Sequence, residues 1–154
     1  MEIERKFLIS SENIPKNIGE YPFHMIEQAY LCTNPVVRVR RQDEEFILTY
    51  KGQGMMVREE YNLPLTKEGY CHLLQKADGI IITKKRYLIP LDGSHTIELD
   101  EFHGAYEGLL LAEVEFTSER EANEFVKPDW FGEDVTFDSR YHNSVMSAAT
   151  GGKK

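Results

Sequence analysis

Charged side chains recur at every second position in one stretch of this chain after another, and that alternation restricts it to β-structure. Glu2, Glu4 and Lys6 alternate with Ile3, Arg5 and Phe7, and Arg38 and Arg40 with Val37 and Val39. Lys84 and Arg86, Glu98 and Asp100, and Glu113 and Glu115 repeat the pattern, while Arg58, Glu60 and Asn62 give a mixed version of it. In a strand, side chains two apart share a face. Each stretch therefore presents one ionic and one largely apolar surface.

A polar strand face in water usually mixes its signs, because like charges two apart repel. Here they are sorted: acids double at 2/4, 98/100 and 113/115, and bases at 38/40 and 84/86. Sorted doublets suit an enclosed site that holds metal ions on its acidic strands and a polyanion on its basic ones. Strands are expected at 2–10, 24–32, 35–42, 44–51, 56–63, 80–90, 95–102, 108–116 and 135–141. Turn residues such as Thr33-Asn34-Pro35, Asp43-Glu44 and Asp92-Gly93 separate many of them.

Helices are expected at 67–78, after a Thr66 cap and before Gly79, and at 119–126. The second opens with the capping box Ser118-x-x-Glu121 and ends before Pro128. Weaker helical patterns lie around 12–18 and near 142–149. Eight or nine antiparallel strands with few helices suggest a closed barrel or a sandwich. In a small barrel, alternate positions line the interior, which can enclose one small ligand.

Of 18 bases and 26 acids, such a lining takes eight bases (Lys6, Arg38, Arg40, Lys51, Arg58, Lys84, Arg86, Arg140) and seven acids (Glu2, Glu4, Glu60, Glu98, Asp100, Glu113, Glu115). The lining then carries +1 of the net charge of −8 and the exterior about −9, so the acidic balance lies outside. It argues against nucleic-acid binding, which needs a basic face. The 154 residues suit one domain at 1–149, with 150–154, rich in Gly and Lys, as a disordered tail. No apolar run is long enough to span a bilayer, and residues 1–10 are too acidic for a signal peptide. A cytoplasmic protein that engages neither membrane nor nucleic acid, as a monomer or homodimer, is expected. Cys32 and Cys71 then read as reduced, buried thiols. His24, His72, His95, His103 and His142 show no ligand spacing and read as surface or capping residues. Met55-Met56 and Trp130-Phe131 read as packing.

A triphosphate is the kind of ligand this lining fits. One Lys or Arg at ~4 Å is worth roughly 4 kcal/mol per charge pair at an effective dielectric of ~20, and guanidinium forks bind phosphate oxygens in pairs. Mg²⁺ or Mn²⁺ takes carboxylate and phosphate oxygens together. No Ser/His/Asp or Cys/His set emerges, and Lys51-Gly52-Gln53-Gly54 is not a nucleotide-binding glycine loop.

Glu2-x-Glu4-x-Lys6, followed in order by Arg38-x-Arg40, Lys51, Arg58-x-Glu60, Lys84-x-Arg86, Glu98-x-Asp100, Glu113-x-Glu115 and Arg140-Tyr141-x-Asn143, resembles the CYTH superfamily, the triphosphate tunnel metalloenzymes. The resemblance runs over residues 2–147. It implies an α+β, mainly β fold: an eight-stranded antiparallel closed barrel forming an open-ended tunnel, with helices packed outside. It implies Mg²⁺ or Mn²⁺ on Glu2, Glu4, Glu113 and Glu115, with Glu60 and Asp100 as further ligands. Lys6, Arg38, Arg40, Lys51, Arg58, Lys84, Arg86 and Arg140 would bind the triphosphate, and Lys84 and Tyr30 would handle protons as catalytic residues. Asn62 departs from the family where many members carry a second acid, and Arg140 stands where a lysine is common. The activity implied first is metal-dependent hydrolysis of inorganic tripolyphosphate or a related triphosphate, water attacking a terminal phosphorus. The alternatives are an adenylate cyclase of the class IV type, a thiamine or nucleoside triphosphatase, and a barrel that only binds polyphosphate.

Overall fold

The computed structural model describes residues 2–149; the tail expected at 150–154 lies outside them. Nine strands form one antiparallel sheet: β1 (Glu2–Leu8), β2 (Phe23–Thr33), β3 (Val36–Gln42), β4 (Glu45–Lys51), β5 (Val57–Arg58), β6 (Glu60–Pro64), β7 (Asp78–Pro90), β8 (Thr96–His103) and β9 (Leu110–Glu115). Three helices accompany them: α1 (Lys67–Leu74), α2 (Glu119–Glu124) and α3 (Asn143–Ala149).

The sheet order is β5-β1-β9-β8-β7-β2-β3-β4-β6. Its two edge strands, β5 and β6, are halves of one segment that breaks at Glu59. The first half pairs with β1 and the second with β4, so a single stave joins both edges and nearly closes the barrel. The expected single strand at 56–63 is thus two, which makes nine strands where eight were anticipated.

No strand forms at 135–141. Asp134 accepts hydrogen bonds from Thr136 N and Oγ1, and Asp138 accepts from Arg140 N, local contacts that compete with a ladder. The segment still seals the seam beside β1. Leu8 N donates to Glu133 O, Val135 N to Lys6 O, and Lys6 N to Thr136 Oγ1. Around 12–18 there are turns and only a short 3₁₀ turn at Ile18–Glu20. α1 and α2 are capped by Thr66 and Ser118 as expected, but end earlier, at Leu74 and Glu124.

The outward face of the wall is apolar. Phe7, Tyr87, Ile97, Leu99, Val114 and Phe116 pack with Phe131, Phe125 and Trp130 beneath α2, and α1 covers Val39 and Leu48 through Tyr70 and Leu73. Inside, Tyr30, Val36, Ile82, Phe102 and Leu111 fill one end of the barrel together with Met146 of α3. α3 reaches that position because Gly79 lets it pass: a Cβ there would stand 2.2 Å from Ser147 O, and φ is +72°. The remainder of the interior is polar. Cys32 and Cys71 are both free and exposed, not buried as expected; Cys32 lies near the end of β2, and Cys71 points away from the stripe that α1 lays on the sheet.

Candidate functional site

Register decides which charges meet. Glu4 lies opposite Glu115, and Lys6 opposite Glu113, across β1 and β9; Glu98 faces Glu113, and Asp100 faces Arg86. Residues directly opposite share a face, so the ionic positions of these strands converge on one side of the wall. They enclose a cavity of ≈ 220 Å³ lined by Glu2, Glu4, Glu60, Glu98, Glu113 and Glu115, by Lys6, Arg38, Arg40, Lys51, Arg58, Lys84 and Arg86, and by Tyr30, His142 and Asn143.

At the acidic side, cations stand between carboxylates. Lys51 Nζ is 3.0 Å from Glu2 Oε1, and Lys6 Nζ is 3.1 Å from Glu113 Oε2 while also donating to Tyr141 O. Against burial, Lys6, Arg86 and Lys84 hold the Glu113 carboxyl well below the usual carboxylate range. Against burial too, Glu113 and Glu4 raise Lys6. Glu4 has no such partner: burial, then the charges of Glu113 and Glu2, push it up to about 8. Burial with Glu2 and Glu98 likewise raises Glu115. Glu60 is lowered, because Lys51 and a hydrogen bond from Asn62 outweigh its burial.

At the basic side, Arg86 grips Asp100 with two hydrogen bonds of 2.7 and 2.9 Å and reaches Glu113 at 3.1 Å. Lys84 Nζ lies 2.8 Å from Asp100 and donates to Asn143 Oδ1 at 2.8 Å. Burial pulls Lys84 down to about 7 although Asp100 favours its charge, and Arg86 presses in the same direction as burial. Burial and the charges of Arg38 and Arg86 also lower Arg40. Arg38 donates from Nη2 to Thr49 Oγ1, which donates on to Asn62 Oδ1, and Arg58 Nε donates to Gly52 O.

Two of the expected site residues stand elsewhere. Arg140 does not line the cavity: its side chain is 76% exposed and bound to Asp138, because residues 139–141 turn as a 3₁₀ helix instead of extending as a strand. Asp100 lies behind the lining, 1% exposed, with its oxygens committed to Arg86 and Lys84. It is the counter-ion of Arg86 and Lys84 and does not line the cavity, where a further metal ligand was expected. The other expected residues all reach the cavity wall. Gln28, buried in β2 and bonded to Arg40, was not anticipated, although its parity with Tyr30 signals an inward face. Glu98 was counted in the lining without a role. His142 also lines the cavity, contrary to a surface reading; its ring faces Thr136 O, and burial followed by Lys6 lowers its pKa.

Among the described residues, only two buried side-chain nitrogen or oxygen atoms lack a hydrogen-bond partner, Glu2 Oε1 and Arg38 Nε. Lys51 approaches Glu2 Oε1 without the right angle for a hydrogen bond. Both residues line this cavity. A buried carboxylate oxygen whose only partner is the Lys51 ammonium on the acidic side, and an unpartnered buried donor, Arg38 Nε, on the basic side, suit a ligand that carries cations and phosphate oxygens together. Among the described residues, no three carboxylate, imidazole or thiolate groups already converge as a metal cage. Mg²⁺ and Mn²⁺ bind through one or two carboxylates and take further oxygens from phosphate and water. Glu2, Glu4, Glu113 and Glu115 are the groups that would hold such an ion.

A nearly closed barrel with sorted charge inside defines a class of polyanion-binding tunnel proteins. The CYTH domain model matches residues 1–151, and the chain belongs to the CYTH family. It is 38% identical to an inorganic triphosphatase of Nitrosomonas europaea over 95% of this chain and 96% of that one. A second inorganic triphosphatase, from Acetivibrio thermocellus, is 35% identical over 94% and 92%. A solved inorganic triphosphatase structure superposes with a TM-score of 0.70 at 36% identity, covering 96% of this chain and 94% of the other.

Proposed function

We propose that the protein hydrolyses inorganic tripolyphosphate, or a closely related linear triphosphate, with Mg²⁺ or Mn²⁺ bound. The observation that carries this reading is the convergence of seven Lys and Arg side chains on a single small cavity. Seven bases suit a bare polyphosphate once a divalent ion offsets the carboxylates of the same lining. Tyr30, His142 and Val36 are the only apolar or aromatic side chains among the described lining residues, too few to form the platform a nucleobase or thiazole ring would need. Both named relatives, similar over nearly their whole length, are inorganic triphosphatases, which supports the same substrate class.

Arg38, Arg40, Arg58, Lys84 and Arg86 bind and orient the phosphate groups, and the guanidinium charges stabilise the negative charge that develops on transfer. Lys6 and Lys51, paired with Glu113 and Glu2, exchange those carboxylates for phosphate oxygens. Glu2, Glu4, Glu113 and Glu115, with Glu60 beside them, would hold the divalent ion, which would supply charge neutralisation and lower the pKa of a bound water. Lys84 Nζ, brought down to about 7, holds or releases a proton near neutral pH, with Tyr30 facing the same cavity. Water attacks a terminal phosphorus, the P–O bond to the bridging oxygen breaks, and orthophosphate and pyrophosphate leave. The protein works in the cytoplasm as one domain, monomeric or dimeric, without nucleic acid or membrane.

The test is a substrate panel of tripolyphosphate, ATP, thiamine triphosphate and longer polyphosphate, assayed with Mg²⁺ and Mn²⁺ and with products identified. Orthophosphate and pyrophosphate from tripolyphosphate, abolished by chelator and by Glu115→Gln, is the expected result. Cyclic AMP from ATP would identify a cyclase instead. Tight binding without turnover under either metal would leave a polyphosphate-binding barrel.

A further inference from the structure

Gln28 sits in the middle of β2, fully buried, opposite Arg40 on β3 and Ile82 on β7. A buried primary amide must place two donors and one acceptor. Gln28 Oε1 accepts from Arg40 Nε at 2.8 Å, and Nε2 donates to Asn143 Oδ1 at 2.7 Å. Chemistry fixes both amide orientations. A guanidinium only donates, so Arg40 must meet the oxygen of Gln28. Protonated Lys84 only donates as well, and it meets Asn143 Oδ1 at 2.8 Å. Two cations from different strands are thus linked in the order Arg40, Gln28, Asn143, Lys84, and Asn143 opens α3.

Arg40 needs this hold more than its neighbours do. Arg86 has Asp100, Glu98 and Glu113, and Arg38 has Thr49. Among the described residues, Arg40 makes no ion pair and hydrogen-bonds only to Gln28, while Arg38 and Arg86 repel it. A guanidinium anchored through Nε keeps both Nη groups for a ligand.

We propose that Gln28 is a positioning residue for triphosphate binding: its amide oxygen holds Arg40 by Nε with the Nη groups left for the polyanion, and its amide nitrogen ties that hold to Asn143 of α3. This role rests on the triphosphatase reading of the cavity. Gln28→Met keeps nearly the same volume and apolar packing but loses the acceptor, so it separates anchoring from space filling.

Two readouts test it: calorimetric binding of tripolyphosphate in metal-free buffer, and steady-state kinetics with Mn²⁺. Gln28→Met and Gln28→Ala are expected to weaken binding by about tenfold or more, the size of a lost hydrogen bond to a charged group. KM should rise by a larger factor than kcat falls. In an Arg40→Ala background, Gln28→Met should add no further loss of affinity, since the group it positions is gone. Wild-type affinity in Gln28→Met, or losses that add in the double variant, overturns the positioning role alone. Wild-type protein that neither binds nor hydrolyses tripolyphosphate with Mn²⁺ overturns the triphosphatase reading as well.

Discussion

Asp100→Asn isolates the most consequential buried charge in the wall. The carboxylate is 1% exposed and lies 2.7 and 2.9 Å from Arg86 Nε and Nη2 and 2.8 Å from Lys84 Nζ. Asparagine keeps the shape and one acceptor but removes the charge. Arg86 then retains Glu113 at 3.1 Å, whereas Lys84 retains no carboxylate ion pair among the described residues. Stranding a buried charge typically costs about 3–5 kcal/mol; because the amide still accepts one hydrogen bond, about 3 kcal/mol is expected. With a urea dependence of about 2 kcal/mol per molar for a small protein, the unfolding midpoint should fall by about 1.5 M. Asp100 is also the main influence favouring the charge on Lys84, whose pKa burial has brought to about 7. Without it, Lys84 sheds its proton at lower pH, so the loss of stability should be greater at pH 6 than at pH 8. In acid the gap should close. The folded pKa of Asp100 is lowered, so its stabilisation is present above the unfolded value of about 3.9 and lost as pH falls through the folded one. The assay is urea unfolding in metal-free buffer, followed by Trp130 fluorescence at pH 6 and pH 8. A midpoint shift below about 0.5 M at pH 6, or a larger one at pH 8, refutes the counter-ion role.

Glu4 predicts the opposite pH trend. Its folded pKa is raised to about 8, so the metal-free protein is stabilised by its proton below about pH 4.5 and loses that stability as pH rises through about 8. Melting temperature in metal-free buffer should therefore fall between pH 5 and 8, and Glu4→Gln should flatten the decline; an unchanged slope would rule out Glu4 as its source. Arg140→Ala should leave tripolyphosphate hydrolysis within about twofold of wild type, because its guanidinium lies outside the cavity on Asp138; a larger loss in steady-state assays would contradict that position. Gly79→Ala should destabilise the protein by at least about 1–2 kcal/mol in urea melts, since φ is +72° and the new Cβ collides with Ser147 O. Wild-type stability there would mean that α3 does not pack on β7 so closely.

Much of the barrel was legible because its signal is local. Period-two alternation reports a strand with two different faces whatever the strand pairs with, and eight of the nine expected strand segments form at nearly the anticipated positions. The ninth, at 135–141, carries Val135, Phe137 and Tyr141 with strand-like spacing. Asp134 and Asp138 satisfy neighbouring backbone groups there, and no strand forms. Alternation could not register that competition, nor show that 57–64 would divide at Glu59 to serve both edges of the sheet.

The sequence by itself determined that acids and bases would be sorted along alternating strands, because sign and parity are properties of consecutive residues. From this followed the ionic character of the interior and the candidate groups at Glu2, Glu4, Lys6, Arg38, Arg40, Lys84, Arg86, Glu113 and Glu115. Tertiary structure alone decided what each charge does. Asp100 and Glu113 lie on adjacent strands and both face inward, yet Asp100 is sealed behind the wall by Arg86 and Lys84, and Glu113 stands in the cavity. The difference is depth and register, set by long-range pairing. The same pairing brings Gln28 against Arg40 and Asn143 of α3 against Lys84, contacts between residues far apart in sequence whose pairing no local pattern encodes.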